Sequence, residues 1–311
     1  MFVGLLHILV FPGMLFLICF SMVLAYMDRR IYARLQNRKG PKWYQPLADF
    51  LKLLGKESIV PEHAYRQIFL AAPLVAFAAV VTAYFYIPLW SSSALYQFKG
   101  DLIVVLYLLI IPTLCFSLGG WYSTSAYATL GAVRALTQLF SYEVSLYMAF
   151  LSPALLANSW SISEISAYYI QHPLYILINL PAFAVAILAC QGKLERVPFD
   201  LPEAETELVS GPFVEYSGLH YAIFRLSQDC QMTVVISLLV AVFIPIHFAI
   251  PFFDFFLYLL KVVFILFIMC ILRTVMARIR IDQMMNFCWK YLAPVAMLQI
   301  IVNLLLKGVL V

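Results

Sequence analysis

The chain has 311 residues, of which 64% are hydrophobic and 12% charged, with a mean hydropathy of +0.92. That composition excludes a soluble globular domain. The net charge of +4 comes from cations gathered in particular loops, so it does not argue for nucleic-acid binding.

A membrane span needs roughly 20 largely apolar residues, and about eight runs qualify. They are 2–27, 67–90, 102–121, 140–160, 173–191, 230–250, 251–273 and 290–311. Pro245 and Pro251 leave little room for a loop between the sixth and seventh. The first run lacks a basic leader and a small-residue cleavage site, so it reads as a retained helix. The expected fold class is therefore all-α: one integral membrane domain, 1–311, with about eight transmembrane helices and cytoplasmic amphipathic helices. Arg and Lys concentrate in the odd-to-even connections, and only Lys99 lies in the alternate ones. The positive-inside rule then places segments 28–66, 122–139, 192–218 and 274–289 in the cytoplasm. Both termini fall on the extracytoplasmic side of the cell membrane.

In the first cytoplasmic segment, Arg38-Lys39-Gly40-Pro41 is a turn. Leu47, Phe50, Leu51 and Leu54 then recur at helical spacing, opposite Asp49, Lys52 and Lys56. This helix either lies on anionic lipid or forms a docking face for a soluble partner, and one helix can do both. In the second segment Arg134 and Gln138 share a helical face, and Glu143 opens the fourth span with no charged neighbour in sequence. A buried acid without a partner protonates, as a relay requires; an interfacial Glu that reaches water is the plainer reading.

The third segment, KLERVPFDLPEAETELVSGPFVEYSG, holds Glu195, Asp200, Glu203, Glu205, Glu207 and Glu215, six of the chain's 16 acids. Carboxylates at a bilayer edge lose solvation, so their concentration points to a proton or ion path. Pro202 suits the first turn of a helix, on which Glu203 and Glu207 form an i,i+4 pair. The interleaved Phe199, Leu201, Leu208, Val209, Phe213, Val214 and Tyr216 speak for packing against a plain solvated loop. The fourth segment, with Arg278, Arg280 and Asp282, reads as a basic anchor. The six cysteines and five histidines are scattered and match no metal or nucleophile motif, so a self-contained enzyme is not expected.

Four stretches together carry a resemblance: RLQNRKGPKWYQPLADFLKLLGKE, GAVRALTQLFSYEVSL, ERVPFDLPEAETELVSGPFVEYSG and RIRIDQMMNFCWKYLAP. They resemble the membrane subunit of respiratory complex I that joins the redox arm to the membrane arm (subunit 1, or H in bacteria). They are also similar to its equivalent in energy-converting membrane-bound nickel–iron (NiFe) hydrogenases. The resemblance implies a subunit with no cofactor of its own, whose partners carry iron–sulfur clusters and, in the hydrogenase branch, a NiFe centre. Those partners are peripheral redox subunits (hydrogenase-like large and small subunits), small membrane subunits and antiporter-like subunits, with lipid around them. It implies an ion path through Glu143, Asp200, Glu203, Glu205, Glu207 and Glu215, to which this chain's own Asp229 is added as a candidate. The family's basic turn falls on Arg34, Arg38 and Lys39, and peripheral-arm docking is expected on these together with Trp43, Arg134, Arg278 and Arg280.

Quinone-reducing relatives continue the acidic loop with a Phe-Leu-Ala-Glu-Tyr-like run. Here the run is Phe224-Arg225-Leu226-Ser227-Gln228-Asp229, and Arg225 and Asp229 are spaced to pair on one helical face. The loop opening, Cys190-Gln191-Gly192-Lys193-Leu194-Glu195, also departs from the complex I pattern. Both departures favour a ferredoxin-dependent hydrogenase-like or sulfur-reductase-like complex. A quinone-chamber subunit is the alternative, and a free-standing transporter has the least support.

Overall fold

The computed structural model describes residues 7–91, 93–248 and 250–310, and among these the structure is helical without strands. The helices are α1 (Met14–Leu35), α2 (Gln45–Leu54), α3 (Arg66–Phe85), α4 (Asp101–Trp121) and α5 (Ala126–Ala157). They are followed by α6 (Ile162–Gln171), α7 (Leu174–Ile178), α8 (Leu180–Lys193) and α9 (Gly218–Phe243). Last come α10 (Pro251–Val275), α11 (Ile281–Phe287) and α12 (Ala293–Leu310). Among the described residues, seven helical stretches are long and apolar enough to cross a membrane, the first running from His7 to Leu35 and the last from Ile281 to Gly308. The chain is thus a polytopic membrane protein.

The remaining expected crossing, 173–191, is divided at Asn179 into α7 and the 14-residue α8. A buried amide network accounts for the division. Asn179 Nδ2 donates to the Tyr169 hydroxyl at 2.8 Å, and its Oδ1 accepts from Asn303 Nδ2 at 2.8 Å. Asn303 also donates to Ser152 Oγ, and Gln299 donates to the Ile178 carbonyl that the break frees. Hydrogen bonds thus replace hydrophobic drive in joining α5, α8 and α12.

Helix boundaries move in three places. α5 is one 32-residue helix from Ala126, so Arg134, Gln138 and Glu143 share one continuous element and Glu143 lies inside it. α9 begins at Gly218 rather than near residue 230, which puts Arg225 and Asp229 within a helix that packs on α1, α2 and α3. No helix starts at Pro202: only a single turn, Glu205–Leu208, forms before Val209 takes a φ of 64°. Glu203 and Glu207 therefore do not share a helical face.

The acidic segment is held as a packed loop. Phe199, Leu201, Leu208, Phe213 and Tyr216 are buried as expected, whereas Val209 is exposed. The Tyr216 ring stacks on Phe69 at 4.0 Å between centroids, and its hydroxyl donates to the Phe69 carbonyl. Close backbone approach seats the loop against α5: a Cβ on Gly131 would lie 2.7 Å from Gly211 Cα. Gly211 has a φ of +54°, and a Cβ there would meet the Pro202 carbonyl oxygen at 1.9 Å.

Replacing Asn303 with Leu strands the polar groups of Ser152, Asn179 and Gln299. We expect a loss of about 1–2 kcal/mol, read as a lower thermal midpoint of the detergent-solubilised protein. An unchanged midpoint would show that the network does not hold the three helices.

Candidate functional site

A cavity of about 250 Å³ opens where α1, the acidic loop, α9 and α10 meet. Its walls carry five carboxyls (Asp28, Glu195, Asp200, Glu203 and Asp229) and four guanidiniums (Arg29, Arg196, Arg225 and Arg273). Asp28, near the end of α1, is buried and accepts from Arg196 at 2.6 Å and Arg273 at 3.3 Å. The Cys270 thiol approaches the same carboxylate at 3.3 Å, and the Arg273 guanidinium stacks 4.2 Å from the Tyr32 ring centroid. Buried charge needs this compensation, because an isolated carboxylate in a low dielectric is strongly disfavoured.

On the opposite wall Glu203 accepts from Gln228 Nε2 at 2.9 Å and lies 3.7 Å from Arg225. Arg225 donates to the Tyr221 hydroxyl and to Gln228 Oε1. It reaches across to the loop instead of closing the pair with Asp229 that their spacing suggests. The Asp200 carbonyl accepts from Arg278.

Glu195 follows α8 with a φ of 51°. It is buried, and among the described residues neither carboxylate oxygen has a hydrogen-bond partner. Burial, reinforced by the charges of Glu203 and Asp200 and opposed by Arg225, pushes its carboxyl up to about 8. With the proton on Glu195, the formal charge of the lining is four carboxylates against four guanidiniums.

Glu143 lies deeper, inside α5. Its Oε2 is 3.5 Å from Lys193 Nζ, so the acid that has no charged neighbour in sequence has one in space. Gln138, five residues earlier, donates to the Gly192 carbonyl at 2.7 Å.

The expected ion-path residues therefore separate. Asp200, Glu203 and Asp229 line one cavity, and Glu143 lies outside its lining, paired with Lys193. Glu207 is exposed and paired with Arg134 at 2.5 Å; that hydrogen bond and charge lower its carboxyl pKa. Glu215 is half-buried and outside the cavity lining. The Glu205 side chain lies outside the described residues. Of the expected docking residues, Arg34, Arg38, Lys39, Trp43 and Arg280 are exposed, Trp43 at 75%. Arg134 and Arg278 are instead half-buried and spend their hydrogen bonds on Glu207 and the Asp200 carbonyl. Asp28, Lys193, Arg196 and Arg273 are additions to the site. Their one sequence signal is charge at the end of an otherwise apolar run.

A second opening of about 480 Å³ between α1, α2 and α9 shares Arg29, Arg225 and Asp229 with the cavity. Met22, Phe50, Leu53 and Leu226 supply its apolar lining. Among the described residues, no group of three or more His, Cys, Asp or Glu side chains is arranged to hold a metal ion.

A family profile described as NADH dehydrogenase matches residues 7–304. The NADH-quinone oxidoreductase H subunit of Thermomicrobium roseum is 38% identical over 306 residues, covering 89% of each chain. A second relative, one of the NADH-quinone oxidoreductase H subunits of Syntrophobacter fumaroxidans, is 35% identical over 296 residues, covering 90% of this chain and 89% of that one. Among solved structures, a chain of the membrane-bound sulfane sulfur reductase, described as an archaeal respiratory membrane complex, superposes with a TM-score of 0.83. It shares 27% identity and covers 96% of this chain and 98% of its own.

The raised Glu195 pKa has a stability consequence. A carboxyl whose folded pKa lies above its unfolded value of 4.5 favours the fold while protonated, and that contribution is lost as pH rises through about 8. The thermal midpoint should therefore fall as pH rises from about 4.5 to about 8 and level off above that, and Glu195→Gln should flatten the fall. Identical pH profiles for the two proteins would remove Glu195 as the titrating group.

Proposed function

The chain belongs to the NADH dehydrogenase family that includes the H subunits of NADH-quinone oxidoreductases, and from that premise we propose that it is the non-redox coupling subunit of a redox-driven ion pump. It docks a peripheral electron-transfer arm and links that arm to H+ or Na+ translocation through the acidic loop. The observation that carries the reading is the cavity: nine ionisable groups face one small volume, and Glu195 on its wall is two residues from Lys193, the partner of the buried Glu143. A shift of charge at the cavity mouth would reset protonation inside, which is the form coupling takes between separate sites.

The redox centres are assigned to partner subunits, as iron–sulfur clusters fed by ferredoxin. The preferred acceptor is protons at a NiFe centre. Sulfur is a second acceptor, supported by the likeness to the sulfane sulfur reductase. The quinone-chamber alternative draws support from the named relatives and from the part-apolar opening beside α2. Against it stand Arg225, Gln228 and Asp229, polar groups where an isoprenoid tail needs an apolar tunnel. A purified complex that loses turnover on quinone extraction would establish the alternative.

Docking is assigned to the exposed turn with Arg34, Arg38, Lys39 and Trp43, together with Arg280. Arg38→Glu combined with Lys39→Glu should release the peripheral arm at moderate salt, measured by co-purification. Retention of the arm would clear this face of the role. Both termini are placed outside, so a cysteine near residue 97 should label from the external side and one near residue 193 from the cytoplasmic side.

The coupling test uses membrane vesicles with ferredoxin-driven electron transfer and ion uptake measured together. Glu203→Gln and Asp229→Asn should lower ion uptake per electron by about tenfold or more, with a smaller effect on electron transfer. Wild-type uptake in both assembled variants would mean that the cavity is a solvated charge cluster.

A further inference from the structure

Lys193 is the one cation in the described part of α8, and its side chain is 1% exposed. A charge that deep persists only with a counter-charge, and Glu143 supplies it through a single contact of 3.5 Å. The grip is incomplete. The other Glu143 oxygen, Oε1, is buried with no geometric hydrogen bond among the described residues, although the Tyr147 hydroxyl one turn on faces the same carboxyl, and Gln138 Oε1, five residues earlier, is likewise without one. A pair built only to hold α5 to α8 would satisfy both oxygens. The ammonium also has a second seat, since its nitrogen lies 5.5 Å from the centroid of the fully buried Tyr142 ring. Tyr142 packs against Gly192, so that ring is fixed beside the lysine.

We propose that Lys193 is an internal cation that occupies Glu143 between transport events and competes there with the transported ion. This deepens the coupling reading and rests on it. With no ion in transit, the ammonium neutralises the Glu143 carboxylate. An arriving proton forms an O–H bond at the open Oε1, or a sodium ion coordinates there. The ammonium gives up its contact and turns to the face of Tyr142, keeping its own three protons. When the ion leaves, the carboxylate takes the ammonium back. No bond to nitrogen is made or broken, and one ion enters for each one that leaves.

The test compares Lys193→Arg, Lys193→Met, Glu143→Gln and the Lys193→Met/Glu143→Gln double variant in the complete complex in vesicles. Ferredoxin-driven ion uptake per electron is read beside redox-difference infrared spectra of the protonated Glu143 carboxyl, the band that Glu143→Gln removes. A guanidinium fork can grip both carboxylate oxygens, so Lys193→Arg should assemble normally, lose the redox-linked band and lose uptake by about tenfold. In Lys193→Met the unpaired carboxyl stays protonated throughout, so the redox-linked band should also be absent from the difference spectrum. The double variant should assemble without recovering uptake. Wild-type uptake in Lys193→Arg, or recovery in the double variant, would overturn the proposal and leave the pair as a strut. Should Glu203→Gln and Asp229→Asn abolish uptake while the Lys193 variants keep it, the competition falls and the coupling role stands. If none of these variants alters uptake, both fall.

Discussion

Asp28 is the charge on which the site's geometry depends. Its carboxylate is 4% exposed and is shared by guanidiniums from two elements far apart in sequence, Arg196 of the acidic loop and Arg273 of α10. A buried ion pair adds little net stability, but removing one partner is costly because the others are left uncompensated. The end of α1, the opening of the acidic loop and the end of α10 are therefore fixed to one another. Glu195 is one residue before Arg196, so the same clamp holds it at the cavity wall.

Two kinds of contact bring the remaining groups to that point. Steric closeness does one part: Gly131 and Gly211 let the loop lie directly on α5, while Tyr216 and Phe213 pin its far end to α3, α4 and α9. Buried amides do the other, fixing α8 against α5 and α12 on the opposite side of the molecule. The charged cavity thus sits on elements that are immobilised at both ends, as a site needs when its groups must hold set distances.

Much of the membrane architecture was legible in the sequence. Apolar run length marks the crossings, and Pro245 with Pro251 marks the break after α9, where the helix stops at Phe243 and the next starts at Pro251. The α2 helix follows from its period, with Pro46 at its first turn. Boundaries in charged stretches were not legible, because Arg134, Arg225 and Asp229 count against a span by hydropathy while packing keeps them helical. The division at Asn179 depends on partners more than 120 residues away in α12. The site shows the same limit. Asp200, Glu203 and Asp229 converge, but Pro202 does not start a helix because Gly211 and the Pro202 carbonyl need that space. Lys193 looked like a loop cation, and only the approach of α8 to α5 makes it the counter-ion of Glu143.

The length of α5 has a mechanical consequence. At about 1.5 Å per residue, its 32 residues reach about 48 Å, well beyond a hydrocarbon core of about 30 Å. Arg134, near its start, pairs with the exposed Glu207, while Glu143 on the same rod stays among the packed helices. An α-helix is stiff along its axis, so a partner that pulls on the exposed end acts as on a lever whose short arm carries the acid. A displacement too small to break any surface contact would still change a 3.5 Å separation, and with it the charge that the membrane interior can tolerate.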